Sequence, residues 1–368
     1  DRIRRGVRDE DTAARLGGDE FVVVLTGLDE VDLFAARATE MVAEKILAAL
    51  AQPYTLASGS HRSTASIGAT LFGTEPVAVD VLMKQADLAM YRAKESGRNV
   101  VRFFDPGMEA AVKRRAELED ELRHAITDGQ LVLHYQAQVA GEGRITGAEA
   151  LVRWQHPQRG MVLPAEFIAL AEDTDLILSL GNWVLHSACT QLALWAQDPH
   201  LDHLTVAVNV SAKQLRQPDF VQQVLAALDS TGAKPGRLKL ELTESVLVQD
   251  IEPIIEKMFA LKAKGISFAL DDFGTGYSSL AYLKRLPIDQ LKIDRSFVRD
   301  VLFDPNDAAI AQTVVALAHS LGLGVIAEGV ETQAQQQVLA AFGCHAYQGY
   351  LFSRPIEASA FEQRVRVG

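Results

Sequence analysis

Cysteine is nearly absent. Cys189 and Cys344 are the only two in 368 residues, too few for a disulfide scaffold, and both sit in apolar stretches that make buried free thiols the expectation rather than a bridge or a zinc site. Long apolar runs are missing as well. None approaches the roughly 18 residues a membrane-spanning helix needs, and no signal-peptide pattern opens the sequence. Positive charge is in deficit, with 36 Lys and Arg against 48 Asp and Glu and a formal net charge of −12. A polyphosphate surface selects a positive field, so DNA, RNA and anionic membranes are poor partners. A small phosphate ligand stays open, because bound divalent ions invert the local field. The chain is therefore expected to be cytoplasmic, any membrane attachment of a longer parent protein lying in upstream segments.

What is present is globular material, 48% hydrophobic and 23% charged, long enough for two cores, one of them a barrel of about 250 residues. The opening reads as a helix tail and a hairpin. FVVVL (21–25) is a strand, 31–51 a long helix, the stretch around Thr64–Leu71 another strand, 82–94 an amphipathic helix and VVRFF (100–104) a last strand. From 108 to 128 charged and apolar residues alternate at helical spacing, without Gly or Pro, which predicts a connecting helix. The KRR run at 113–115 reads as its solvated face. The division expected is 1–106, 107–128 and 129–368.

Beyond residue 130 the pattern becomes strand, then helix, repeatedly. Short apolar runs fall at 131–139, 148–152, 205–209, 237–242, 266–271, 290–293, 323–327 and 344–348, with helical stretches at 165–171, 181–196, 219–230, 251–264, 308–321 and 333–341. Such alternation predicts an α/β fold, a modified (β/α)8 TIM-type barrel. The connection from 139 to 148 is too short for a crossover helix, so the first strand pair should be antiparallel. Trp154, Trp183 and Trp195 are expected in the core. His61, His124, His134, His156, His186 and His203 show no ligand spacing.

Polar residues recur at the strand ends. Gln136 and Glu149 lie in the first two strands; Asn209 closes TVAVN; Glu241 lies in LKLEL; Asp271 and Asp272 close ISFALDD; Lys292 lies in LKID; Glu328 follows GVIA; Gln348 follows CHAY. Carboxylates at a barrel rim are costly unless paired or metal-bound. So many at one rim suggest a site for hard cations. Two divalent ions sharing a carboxylate suit phosphodiester displacement. Asp271 and Asp272 would fit if the strand ended between them, turning both toward one mouth. A rim laced by salt bridges, without chemistry, also fits the spacing.

These residues sit in segments with a family likeness. GAEALVRW (147–154), VLPAEFIALAE (162–172), NVSAKQL (209–215), ELTES (241–245), the run DDFGTGYSSLAYLKRLPIDQLKIDRSFV (271–298), AEGVET (327–332) and YQGYLFSRP (347–355) resemble the EAL phosphodiesterase family. RLGGDEFVVVL (15–25), ASIGAT (65–70) and ADLAMYRAKESGRN (86–99) resemble the second half of a GGDEF diguanylate cyclase domain. The resemblance implies a partial α/β nucleotide-cyclase-like (GGDEF) domain followed by a barrel that hydrolyses cyclic di-GMP to linear pGpG with two Mg2+ or Mn2+ ions. Glu149, Asn209, Glu241 and Asp271 match the family's residues around one ion, and Asp271, Asp272 and Glu328 those around the second. Lys292 matches a lysine close to the attacking water. Either Glu328 or the metal-bound hydroxide itself is the implied base, and Glu149, Lys292, Glu328 and Asp272 are the catalytic set implied.

Gln136, Leu151, Arg153 and Gln348 are the implied substrate contacts, Leu151 being equally suited to core packing. Glu244, Asp294 and Glu331 would brace the site. Gly274 and Gly276 let the chain bend beside two metal ligands, in a loop that links the site to the family's dimer surface, so a homodimer through the barrel is expected. Ala137 departs from the family's usual proline without removing a functional group.

In the first piece, Gly17, Gly18, Asp19 and Glu20 match a phosphate- and metal-holding turn, Lys94 and Arg98 match phosphate contacts, and Arg8 and Asp11 resemble the inhibitory RxxD pair. GTP or cyclic di-GMP would be the ligand there in a longer parent protein. The family's first strand would precede residue 1, so this chain is not expected to cyclise GTP. Three readings follow: an active phosphodiesterase, a cyclic di-GMP receptor that binds without turnover, and a bifunctional parent.

Overall fold

The computed structural model describes residues 2–29, 32–56, 59–61, 63–73, 76–104, 106–141, 143–244, 251–274 and 283–367; the side chains of 32–34, 37, 55–56, 59–60 and 106–116 lie outside the description. Gly276, Ser245 and the side chains of the KRR run therefore fall outside it. Two units separate, Asp1–Leu118 and Glu119–Gly368, with the helix Pro106–Thr127 running through the division.

In the first unit, the hairpin Thr12–Gly17 and Glu20–Val24 turns at Gly18, whose φ of +51° is open to glycine. Ile67–Ala69 and Val101–Phe103 pair in parallel. Helix Val79–Glu95 packs against Ile67–Ala69 through small residues. Ala89 and Ala93 are fully buried, and a Cβ on Gly68 would lie 2.0 Å from the Ala86 carbonyl oxygen. A short hairpin, Tyr54–Leu56 with Gly59–His61, has no counterpart in the sequence reading.

The second unit is a closed barrel. Its strands are β1 (Leu131–Ala140), β2 (Arg144–His156), β3 (Thr205–Val210), β4 (Leu238–Thr243), β5 (Ser267–Phe273), β6 (Gln290–Ile293), β7 (Gly324–Ala327) and β8 (Ala346–Gln348). β2 through β8 run parallel in order, and β1 closes the ring antiparallel to both β2 and β8. A turn containing Gly141 and Gly143, both at positive φ, makes the β1–β2 hairpin possible. Each expected apolar run became a strand within a few residues. Helices Leu176–Trp195, Phe220–Thr231, Ile251–Lys262, Pro305–Ser320 and Gln333–Phe342 lie between successive strands.

Alternation along β1 sorts its residues between two faces. Tyr135 faces outward, its ring 5.2 Å from Trp195, which stacks on Phe361 of the closing helix Ala358–Val367. Gln136 and Gln138 face the barrel interior. Trp154 and Trp195 are buried, whereas Trp183 is only partly so, at a helix surface. Cys189 and Cys344 are buried free thiols. Among the described residues no helix is long and apolar enough to cross a membrane.

Candidate active site

Lys292 is the centre of the barrel's polar end. β6 points it inward, and its side chain is wholly closed to solvent. Its Nζ lies 2.5 Å from Glu241 Oε2, 2.6 Å from Glu328 Oε1, 3.2 Å from Asp271 Oδ1 and 3.8 Å from Glu149 Oε2. One ammonium thus faces carboxylates delivered by β2, β4, β5 and the residue after β7. Burial opposes the lysine's charge, but Glu149, Glu241, Glu328 and Asp271 hold its ammonium well above the usual lysine range. The acids show the converse. Burial pushes Glu241 up to about 7 despite Lys292, and burial with Asp271, Glu149 and Glu241 nearby raises Glu328 well above the usual carboxylate range.

Asp271 and Asp272 reach the same mouth, though not because the strand ends between them. β5 continues to Phe273, and its pairing with β6 slips between Leu270 and Phe273. Asp272 takes a φ of +52° at that irregularity. The bulge breaks the alternation that would send neighbouring side chains to opposite faces. Asp271, Asp272 and Glu328 offer carboxylate oxygens all within 4.8 Å of one another. Burial, then the charges of Asp271 and Asp294, raise Asp272 to about 6. An acidic cluster short of positive charge is what a divalent ion stabilises, so the donor set fits one. Among the described residues no histidine joins it.

Amides hold the remaining carboxylates. Asn209 Nδ2 donates to Glu149 Oε1 at 2.6 Å, and Gln348 Nε2 donates to Glu149 Oε2 at 2.5 Å. Gln348 Nε2 also donates to Gln136 Oε1 (3.2 Å), and Gln136 Nε2 to the Ser353 carbonyl (3.0 Å). Gln138, which the sequence reading passed over, donates to Glu241 and to Gln348. Asp294 caps helix Arg295–Arg299, accepting from the Ser296 N–H at 3.0 Å and from its hydroxyl. Glu244 is buried beyond β4, with neither oxygen hydrogen-bonded among the described residues. The side chain of Glu331 is exposed, and the Glu331 N–H donates to Gln335 Oε1 at 2.9 Å.

Leu151 and Arg153 follow Glu149 at two-residue steps on β2, so they share its face. Burial lowers the proton affinity of Arg153, against the pull of Tyr350 and Glu149. Tyr350 was also missed in the sequence: it is 52% exposed just past Gln348, with Arg354 stacked 4.5 Å from its ring centroid. A cavity of about 910 Å3 bounded by Ala137, Val139, Arg144 and Arg364 lies against the outer face of β1, away from these carboxylates.

In the first unit the Gly17–Glu20 turn is exposed, as are Lys94, at the end of its helix, and Arg98 beyond it. Arg8 and Asp11 meet through the main chain: Asp11 accepts from the Arg8 N–H at 2.9 Å and from the Thr26 N–H at 3.1 Å. These bonds hold its carboxyl below the usual range.

Comparison with known proteins follows the same division. The EAL domain model matches residues 119–355, and the "Diguanylate cyclase, GGDEF domain" model matches residues 1–100. The bifunctional diguanylate cyclase/cyclic di-GMP phosphodiesterase MucR of Pseudomonas aeruginosa is 44% identical over 97% of the chain and 51% of its own length. The cyclic di-GMP phosphodiesterase NbdA of the same organism is 40% identical over 100% of the chain and 46% of its own. The chain spans about half the length of these relatives. A solved MucR phosphodiesterase in complex with cyclic di-GMP has a TM-score of 0.65 and 45% identity, covering 67% of this chain and 99% of that one.

Proposed function

The chain belongs to the EAL family, with a GGDEF segment ahead of the barrel, and from that premise we propose that the barrel hydrolyses cyclic di-GMP to linear pGpG. The observation that carries this is the carboxylate cluster converging on one buried ammonium, Lys292. That cluster lacks enough positive charge of its own.

Glu149, Asn209, Glu241 and Asp271 are assigned to one divalent ion, and Asp271, Asp272 and Glu328 to a second, each Mg2+ or Mn2+. The ions, when bound, acidify water and neutralise charge on both oxygens of the displacement. Asn209 and Gln348 fix both oxygens of Glu149 in rotation. Lys292 keeps its proton and orients Glu241 and Glu328. Glu328, held beside Lys292, is the chain's own acceptor for a proton leaving the attacking water. Arg153 offers forked donors to a phosphate oxygen. Gln136 and Leu151 line the mouth, and the exposed ring of Tyr350 offers a purine a stacking surface.

Residues 1–106 act as a regulatory GGDEF piece, 107–128 as its connection, and 129–368 as the enzyme. In a longer protein, Gly17, Gly18, Asp19, Glu20, Lys94 and Arg98 would serve GTP or cyclic di-GMP, with Arg8 and Asp11 at an inhibitory position. The enzyme works in the cytoplasm as a homodimer through its barrel. The test is chromatography of cyclic di-GMP incubated with the purified chain and Mg2+ or Mn2+, beside Glu149→Ala. Linear pGpG from the wild type alone supports the enzyme; binding without product supports a receptor.

A further inference from the structure

Gln138 is 3% exposed and occupies the interior of the barrel below Gln136. Its amide Nε2 donates to Glu241 Oε1 at 3.4 Å and to Gln348 Oε1 at 3.2 Å. Gln348 in turn donates to Glu149 Oε2 at 2.5 Å, and the other oxygen of Glu241 meets Lys292 at 2.5 Å. A single amide on β1 therefore links carboxylates from β2 and β4, strands that are not neighbours in the ring.

Local backbone structure places that amide. Gln138 pairs with Gly147 and Val139 with Ile145, leaving Thr146 as an extra residue on β2. The Thr146 hydroxyl donates to the Gln138 carbonyl at 3.3 Å, tying the irregularity to Gln138 itself. Bulges re-aim side chains beside active sites. A side chain at Gly147 is excluded, since its Cβ would lie 2.3 Å from Thr205 Oγ1 and 2.7 Å from the Thr205 carbonyl oxygen. Gly147 shares the inward register of Glu149, and Ala207 is a small inward residue on β3, so the interior beside Gln138 is left open for its long arm.

We propose that Gln138 is a positioning residue for the metal centre: it fixes the rotation of Glu241 directly and that of Glu149 through Gln348. This rests on the reading of Glu149 and Glu241 as ligands of one divalent ion. Gln138 makes no substrate contact in this role. Loss of its amide should weaken metal binding and leave substrate affinity at saturating metal in place.

The test is Mn2+ binding to chelator-treated protein, read from the electron paramagnetic resonance signal of free Mn2+, for wild type and Gln138→Met. The methionine variant keeps the volume and removes the donor, and should bind one of its two Mn2+ ions, that of Glu149 and Glu241, about 10-fold more weakly. At saturating Mn2+ its KM for cyclic di-GMP should stay within about twofold of wild type. Gln138→Asn keeps the amide on a shorter arm that falls short of both acceptors; it should show the same loss and serves if the methionine variant does not fold. Equal Mn2+ affinity in wild type and variant would overturn the proposal while leaving the metal centre intact. No Mn2+ uptake by the wild type would overturn the metal centre itself and this inference with it.

Discussion

Lys292 Nζ lies 2.5 Å from Glu241 Oε2, and both side chains are completely closed to water. Such a pair is stable only as a pair, because removing one member strands the other in a low dielectric. Lys292→Met keeps the length and removes the charge, leaving Glu149, Glu241, Asp271 and Glu328 facing one another. Urea unfolding of metal-free protein should show a loss of about 3–5 kcal/mol. Turnover at saturating metal should fall by about 100-fold or more, since the proposed mechanism relies on Lys292 to orient Glu241 and Glu328.

The acids make metal-free stability depend on pH. Glu241 and Asp272 titrate near 7 and 6 in the folded chain, against about 4.3 and 3.9 when unfolded. Between those values the folded state holds more protons, so stability falls as pH rises. The contribution is fully present below about pH 4 and lost by about pH 7. Scanning the melting temperature of metal-free protein from pH 5 to pH 7.5 should show a decline, and saturating Mn2+ should reduce it.

Asp272 adopts a φ of +52°, a region that Asn tolerates and β-branched residues do not. Asp272→Asn should keep the bulge and weaken metal binding. Asp272→Val should cost a further ~1–2 kcal/mol of stability from the backbone alone. Thermal unfolding of the two variants side by side in chelator separates the terms.

Gly349 follows Gln348 where two backbones touch. A Cβ there would lie 2.1 Å from the Val330 carbonyl oxygen and 2.3 Å from its nitrogen. Those same atoms bond Leu351 N–H at 3.0 Å and the Gln348 carbonyl at 3.1 Å. Gly349→Ala should therefore lose roughly 1–3 kcal/mol in urea unfolding and displace Gln348, lowering turnover.

Much of this site is visible in the chain itself. Short apolar runs separated by amphipathic stretches mark β1 to β8, because a barrel strand is buried on both faces and a covering helix on one. A short polar connection after Ala140 marks the antiparallel start. Glu149, Asn209, Glu241, Asp271, Lys292 and Glu328 stand out because charged or amide side chains at strand ends violate the apolar pattern. The bulges are not visible. Nothing in Asp271–Asp272 announces a left-handed residue inside a continuing strand, and nothing at Thr146 announces an unpaired one. Gln138 is hidden for a related reason: an inward glutamine reads as one polar letter, and its partners lie 103 and 210 residues away. Glu331 shows the opposite limit, a motif letter whose side chain faces solvent.

The most direct test of the account is a titration of Mn2+ into chelator-treated chain, following metal uptake and cyclic di-GMP hydrolysis in the same samples, with Glu241→Gln alongside. The account predicts no product in excess chelator and product rising in step with uptake; in the variant it predicts no product, with uptake lost only for the ion assigned to Glu149 and Glu241. Hydrolysis at the full rate in excess chelator, or in Glu241→Gln, would contradict it.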